Sequence, residues 1–392
     1  MHARRAAGIS SLAALLLLAG ASAAAQPKSA EPGCNQEPGN RFYWIERAFC
    51  DLETAGPDRA NGIVIWNHGI SGTNPSWRAP APPALRLLQA RGWDVIMVKR
   101  HNLAETMPGG PLNRSVERTL QEVTAQRKLG YRKVVLAGQS FGGYVTLEAI
   151  DTSPDIFAAI AIAPGVRSSG ADGRFDATTV ERLLQHARVG RLALVFPKND
   201  ALFGNNARGE RAQPILARRE FPYLMIDETS EITGHGGGAS GRFALQYGLC
   251  LADFLAAPTL PAGRFSCPAS GDDWPVVREL LMRPGEKVPG LNLDPSALPA
   301  AVMPLVGLRW AVLGDSLVLV APVSGQGGVR LLYRSGGAND GVYEATLGGG
   351  SIRAVLPNKS SVTLSADGGN TITWTSADRS TVLKAPLRRV VE

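Results

Sequence analysis

The sequence predicts two architectures in one chain of 392 residues. An α/β unit with a mostly parallel sheet and helices on both faces occupies residues 26–268. A small antiparallel all-β unit, a barrel or a sandwich, occupies 301–392. Three observations carry this. Continuous apolar runs alternate with segments of helical spacing between Gly62 and Ala256, which is the rhythm of a sheet covered on both sides. A serine stands between glycines in Gly138-Gln139-Ser140-Phe141-Gly142-Gly143, with strand formers before it and a helical stretch after it. From Leu308 onward the helical signal stops, and short alternating runs are parted by glycine and Asp/Asn turns. Residues 269–300, punctuated by proline, read as a linker.

The N-terminal residues read as a leader. Arg4 and Arg5 precede the apolar run 12–18 and the small residues 21–25, the three parts of an export signal cleaved near Ala23 or Ala25. The apolar run is shorter than the ~20 residues of a spanning helix. A secreted or periplasmic protein with no stable membrane insertion is therefore expected. The four cysteines fall in two sequence-local pairs. In an oxidising compartment Cys34–Cys50 and Cys250–Cys267 are the favoured bridges among three possible connectivities. A hydrophobic content of 44% with 19% charged residues describes a globular chain. The formal charge of +7 is spread along it without a basic block, so no nucleic-acid partner is expected.

In order, residues 26–40 read as an irregular lead-in. Strands are expected at 41–47, 62–67, 93–98, 133–137, 157–164, 191–197 and 220–226, the last of the set. Helices are expected at 84–91, 113–129, 144–150, 178–189 and 241–256. In the β unit seven strands are expected, at 316–323, 329–334, 342–347, 352–356, 362–365, 371–375 and 382–387. Asp367-Gly368-Gly369-Asn370 suits a hairpin turn.

The chemistry centres on Ser140. A strand-to-helix turn with glycines on either side lifts a serine hydroxyl clear of the sheet and lets strand and helix pass closely. A hydroxyl is a poor nucleophile until a base takes its proton, and histidine is the usual base. His2 lies in the leader, His186 in an amphipathic helix, and His101 precedes the serine. His68 reads as a structural residue that holds its loop by hydrogen bonds. His235 lies between the strand 220–226 and the helix 241–256 and is the expected base. Its orienting carboxylate is expected to be Asp200, just past the strand 191–197. Asp227 competes, with a turn or ion-pair role as its other reading.

With these residues in place, the stretch from Arg41 to Ala257 resembles an α/β-hydrolase. The order Ser140, Asp200, His235 matches that fold's Ser…Asp/Glu…His order. The short spacings leave little room for a lid domain, which is similar to the compact dienelactone-hydrolase-like and secreted esterase branches. The dienelactone hydrolases themselves carry a cysteine nucleophile, so their substrate does not transfer. The resemblance implies an oxyanion hole built from the Ile70 and Phe141 amides. It also implies a secreted serine hydrolase that cleaves small-molecule carboxylic esters or acyl compounds through an acyl-serine. A serine peptidase or amidase, or a non-catalytic hydrolase-like binding protein, are the alternative readings.

No cofactor and no metal are expected. Gly109-Gly110 and Gly236-Gly237-Gly238 lack the spacing after a strand that a phosphate cradle requires. The C-terminal unit is a candidate for docking a polymer or partner chain. Trp66, Trp77 and Trp93 lie near strand ends and suit either a pocket or the core.

Overall fold

A computed structural model describes residues 37–40, 43–49, 52–70, 81–100, 111–153, 155–166, 177–203, 207–230, 232–267, 298–311, 317–323, 328–334 and 341–389. The export signal, Cys34, Cys50, Trp77, His101, Gly109-Gly110 and linker residues 269–297 lie outside them.

The first unit runs β1 (Glu37–Asn40), β2 (Tyr43–Arg47), β3 (Gly62–Asn67), α1 (Pro83–Ala90), β4 (Trp93–Arg100), α2 (Pro111–Leu129) and β5 (Val134–Gln139). It continues α3 (Phe141–Thr152), β6 (Ala158–Ile162), α4 (Ala177–His186), β7 (Leu192–Val195), α5 (Arg208–Leu216), β8 (Pro222–Ile226), α6 (Gly241–Ala256) and β9 (Gly263–Phe265). The strands form one sheet in the order β1-β2-β4-β3-β5-β6-β7-β8-β9. β2 is antiparallel to β1 and β4, and every other neighbouring pair is parallel.

The continuous apolar runs have the expected cause. Ile63, Ile65, Val134 and Leu136 pack with side chains of α2–α5, including Val123, Leu147, Leu184 and Leu216. Their alternate neighbours Val64, Trp66, Val135 and Ala137 pack with Leu85 and Leu88 of α1 and with Phe243 and Phe254 of α6. β3 and β5 are thus buried on both faces, and each such Val, Leu or Ile contributes about 1.5–3 kcal/mol of transfer free energy. Trp66 and Trp93 belong to this core. The Cys250–Cys267 bridge ties α6 to the segment after β9.

In this unit three elements depart from the sequence-based expectation. β1 lies in the lead-in expected to be irregular; its Glu-Pro-Gly-Asn sequence is a strand only through an irregular pairing with β2. β9 extends the sheet past β8, which was expected to end it. α5 was not expected at all, because Gly209 and Pro214 break its helical pattern. Its first amides find a cap far away in sequence: the Glu228 carboxylate accepts from the Arg208 and Gly209 N–H groups at 2.6 and 3.0 Å.

The second unit is a closed barrel: β10 (Gly307–Ala311), β11 (Leu317–Val323), β12 (Gly328–Arg334), β13 (Gly341–Gly348), β14 (Ser351–Val355), β15 (Ser361–Ser365), β16 (Thr371–Thr375) and β17 (Val382–Arg389). Each strand is antiparallel to the next, and β17 pairs back onto β10. There are eight strands rather than seven, because β10 was missed. Its core includes Val320, Leu331, Ile352, Leu364, Ile372 and Leu387. The short 3₁₀ turn Ala300–Leu305 adds Val302 and Leu305, and Leu298 already belongs to this core. Among the described residues, no helix is long and apolar enough to cross a membrane.

Candidate active site

β5 ends in Ser140, which has φ +59° and ψ −123°. Few non-glycine residues adopt a positive φ, and strain of this kind persists only where surrounding bonds impose it. Here the Ser140 N–H donates to Ile162 O at 2.9 Å, and its carbonyl accepts from Tyr144 N and Gly165 N at 3.0 and 3.2 Å. Glycine is obligatory around it. A Cβ added at Gly138 would lie 2.1 Å from Gly142 O, and one at Gly142 would lie 2.0 Å from Asn67 O. The elbow is the point where α3 closes on both β5 and β3.

Asp200 follows β7 and His235 follows β8, both at the carboxyl edge where β5 delivers Ser140. A backbone splice draws their loops together: Lys198 N donates to Ile232 O at 2.8 Å and Gly234 N to Lys198 O at 2.7 Å. His235 Nδ1 then lies 3.1 Å from both carboxylate oxygens of Asp200. Because a carboxylate accepts, Nδ1 carries the hydrogen and Nε2 is left as the basic nitrogen. Asp200 is 1% exposed, whereas the His235 side chain is 20% exposed. The Leu202 and Phe203 amides donate to Asp200 Oδ1 at 3.0 and 3.3 Å. The Phe203 ring meets the imidazole edge-on, with centroids 4.9 Å apart. Gln139 Nε2 donates to the His235 carbonyl at 3.2 Å, tying the histidine loop to the residue before the serine.

Burial alone raises the Asp200 carboxyl. The hydrogen bond and charge of His235, the Leu202 amide and the charge of Arg208 outweigh it, and the net position is below the ordinary carboxylate value. Arg208 is itself buried, with Nη1 4.0 Å from Asp200 Oδ2. It donates to the Pro164 carbonyl, and its guanidinium lies 4.7 Å from the Phe196 ring centroid. Desolvation lowers its pKa to about 10, despite the opposing charges of Asp200 and Glu228.

Of the two expected oxyanion donors, Phe141 directly follows the serine and Ile70 follows a glycine that lies close to it. Phe141 is the first residue of α3, where an amide has no intrahelical partner. Ile70 follows Gly69, whose added Cβ would sit 3.1 Å from Ser140 Cβ. Asp227 is occupied elsewhere: it accepts from the Thr229 N–H at 3.0 Å and pairs with Arg264 at 3.3 Å. His68 is 1% exposed and engaged with its own loop. Among the described residues, no group of three or more His, Cys, Asp or Glu side chains is placed to hold a metal. Gly237–Ala239 forms a short 3₁₀ turn before α6.

The fold is that of the α/β-hydrolases. No protein-family model matches the chain, and no curated protein matches it. Solved structures similar to it include a sugar hydrolase from Lactococcus lactis, 12% identical, spanning 56% of this chain and 96% of that one with a TM-score of 0.43. An esterase from Pyrococcus furiosus is 13% identical over 54% and 85% of the two chains, with a TM-score of 0.37. A puromycin-hydrolysing peptidase from Mycobacterium tuberculosis is 18% identical over 57% and 39%, with a TM-score of 0.40.

Sequence reasoning did not single out Arg208, Arg100 or the Gln139 side chain. Gln139 occupies a variable position of the serine motif. The two arginines are visible only once the fold brings them under the loops they touch.

Proposed function

We propose that this chain is a secreted serine hydrolase that cleaves carboxylic esters of small molecules through an acyl-serine. The observation that carries this is the Asp200–His235 pair, held by the loop splice at the same sheet edge as a serine with a positive φ. In this reading Ser140 Oγ attacks the ester carbonyl while His235 Nε2 takes its proton. Asp200 holds the Nδ1–H tautomer and stabilises the imidazolium. The Ile70 and Phe141 amides receive the oxyanion. The imidazolium then protonates the departing alkoxide, and water repeats the sequence to free Ser140 and release the acid. Export accords with the Cys250–Cys267 bridge. In this reading residues 26–268 are the hydrolase, and the β module that follows the linker has its core begin at Leu298 rather than at the expected residue 301.

The test is a fluorophosphonate probe on the protein and on Ser140→Ala, with the adduct located by peptide mass spectrometry. Short acyl p-nitrophenyl esters and peptide anilides are assayed alongside. Labelling at Ser140 with ester turnover is expected. Folded protein that neither labels nor hydrolyses esters would refute the reading, and selective anilide turnover would replace esterase by peptidase.

A further inference from the structure

We propose that His68 and Arg100 form a clamp that aims the Ile70 N–H at the substrate oxyanion, and that both are positioning residues of the hydrolytic site. The inference rests on the hydrolase reading above. It starts from a hydrogen-bond pattern that fixes a tautomer. The Arg100 backbone N–H donates to His68 Nε2 at 3.1 Å, so Nε2 bears no hydrogen. Nδ1 therefore carries it and donates to the Gly69 carbonyl at 2.6 Å.

The Arg100 side chain works on the same two peptides from the other side. Its Nη2 donates to the His68 carbonyl and lies 3.5 Å from the Gly69 carbonyl. Arg100 is fully buried, and its guanidinium lies 5.0 Å from the centroid of the Phe141 ring. One cation thus touches the carbonyls behind the first oxyanion donor and the side chain of the residue that supplies the second.

The consequence follows from the planarity of the peptide group. In a trans peptide the carbonyl and the next N–H point in opposite directions, and no cis bond occurs among the described residues. Holding the Gly69 oxygen against His68 Nδ1 and Arg100 therefore turns the Ile70 N–H away from both. Ile70 is 41% exposed, and Gly69 before it lies close enough to the serine that an added Cβ would sit 3.1 Å from Ser140 Cβ. Without the clamp, rotation of the 69–70 peptide would present a carbonyl to the oxyanion in place of a donor. That is a large penalty for a site whose donors work by being fixed in advance.

The experiment measures kcat and KM for p-nitrophenyl butyrate together with the Ki of phenylboronic acid, whose serine adduct places a charged tetrahedral centre in the oxyanion hole. Four variants are compared: Arg100→Met, Arg100→Lys, His68→Leu and His68→Asn. In Arg100→Met and His68→Leu, kcat is expected to fall roughly 10- to 100-fold, less than the 10²–10³ of deleting a donor outright. KM is expected to hold within about twofold, and the boronate Ki to rise in parallel with the kcat loss. His68→Asn keeps a donor near the Nδ1 position and is expected to retain most of the rate, with Arg100→Lys intermediate. Urea midpoints accompany each variant. Should Arg100→Met not fold, the His68 pair decides. Folded variants with kcat within twofold of the parent, or with Asn no better than Leu at position 68, would overturn the clamp alone. A parent protein that neither turns over ester nor labels at Ser140 would instead remove the hydrolase reading, and the clamp with it.

Discussion

Gly142→Ala puts the elbow geometry at risk with a single methyl group. The new Cβ would lie 2.0 Å from Asn67 O, 2.5 Å from the Asn67 carbonyl carbon and 2.7 Å from His68 O. All three are backbone atoms of a buried strand end and cannot rotate aside. Ordinary contact is reached only if α3 retreats from β3 by about 1–1.5 Å. Overpacking of this kind costs about 1–3 kcal/mol, against which alanine recovers at most about 1 kcal/mol of helix propensity. Net destabilisation of about 1–2 kcal/mol is expected. The retreat carries Ser140 and the Phe141 amide with it, and a misplacement near 1 Å costs on the order of 10²-fold in rate. Gly143→Ala is the control: its nearest neighbours would be 3.1 Å away, at Gly138 O and Ile162 O, so it should be much milder in both respects. Urea unfolding with fluorophosphonate labelling rates reads both quantities. A Gly142→Ala protein as stable and as reactive as the parent would refute the close-packing argument, and equal effects at 142 and 143 would refute its specificity.

Asp200→Asn should lower kcat by roughly 10³–10⁴ while leaving KM little changed, as loss of the correct histidine tautomer does; a loss under tenfold would remove Asp200 from its orienting role. Because the folded carboxyl of Asp200 lies below its ordinary value, its contribution to stability is complete above about pH 4 and is lost as pH falls through the folded value. The stability gap between parent and Asp200→Asn should therefore be flat from pH 7 to 5 and narrow below 4; urea midpoints that stay equally separated down to pH 2.5 would contradict this. Arg191 donates to the Phe254, Leu255 and Ala257 carbonyls at the end of α6, so Arg191→Met should cost about 2–4 kcal/mol, measured by urea unfolding, with Arg191→Lys between. Replacing Cys250 and Cys267 together by alanine opens a loop of sequence separation 17 and should cost about 2–4 kcal/mol; an unchanged melting temperature would argue against the bridge.

What was legible in the sequence was local. Strands β3 to β8 announce themselves because burial on both faces requires unbroken apolar runs, and Ser140 because its glycines and flanking strand and helix are contiguous. Asp200 and His235 were reachable because each follows a strand that could be read. The rest depends on partners distant in the chain. α5 begins at Arg208 behind an Ala207 that offers no side-chain cap, and it takes its cap from Glu228, 20 residues beyond Arg208. β9 has three residues, too few for any periodicity to register. Arg208 and Arg100 look like ordinary surface cations in sequence, and only the assembled fold buries them beneath the Asp200 and Ile70 loops.

The closure of the barrel has a kinetic side. Seven of its eight pairings join consecutive strands, but the eighth sets Arg309 opposite Arg389, and bringing together residues about 80 apart carries the largest loop-closure entropy in the unit. The hairpins can form early and independently, whereas the β10–β17 seam must wait for all of them. Until it forms, both strands present unpaired backbone edges of the kind that recruit another chain. Crowded refolding should therefore lose material to aggregation at this seam, and a short linker bridging β17 to β10 in a circularly permuted barrel should relieve that loss.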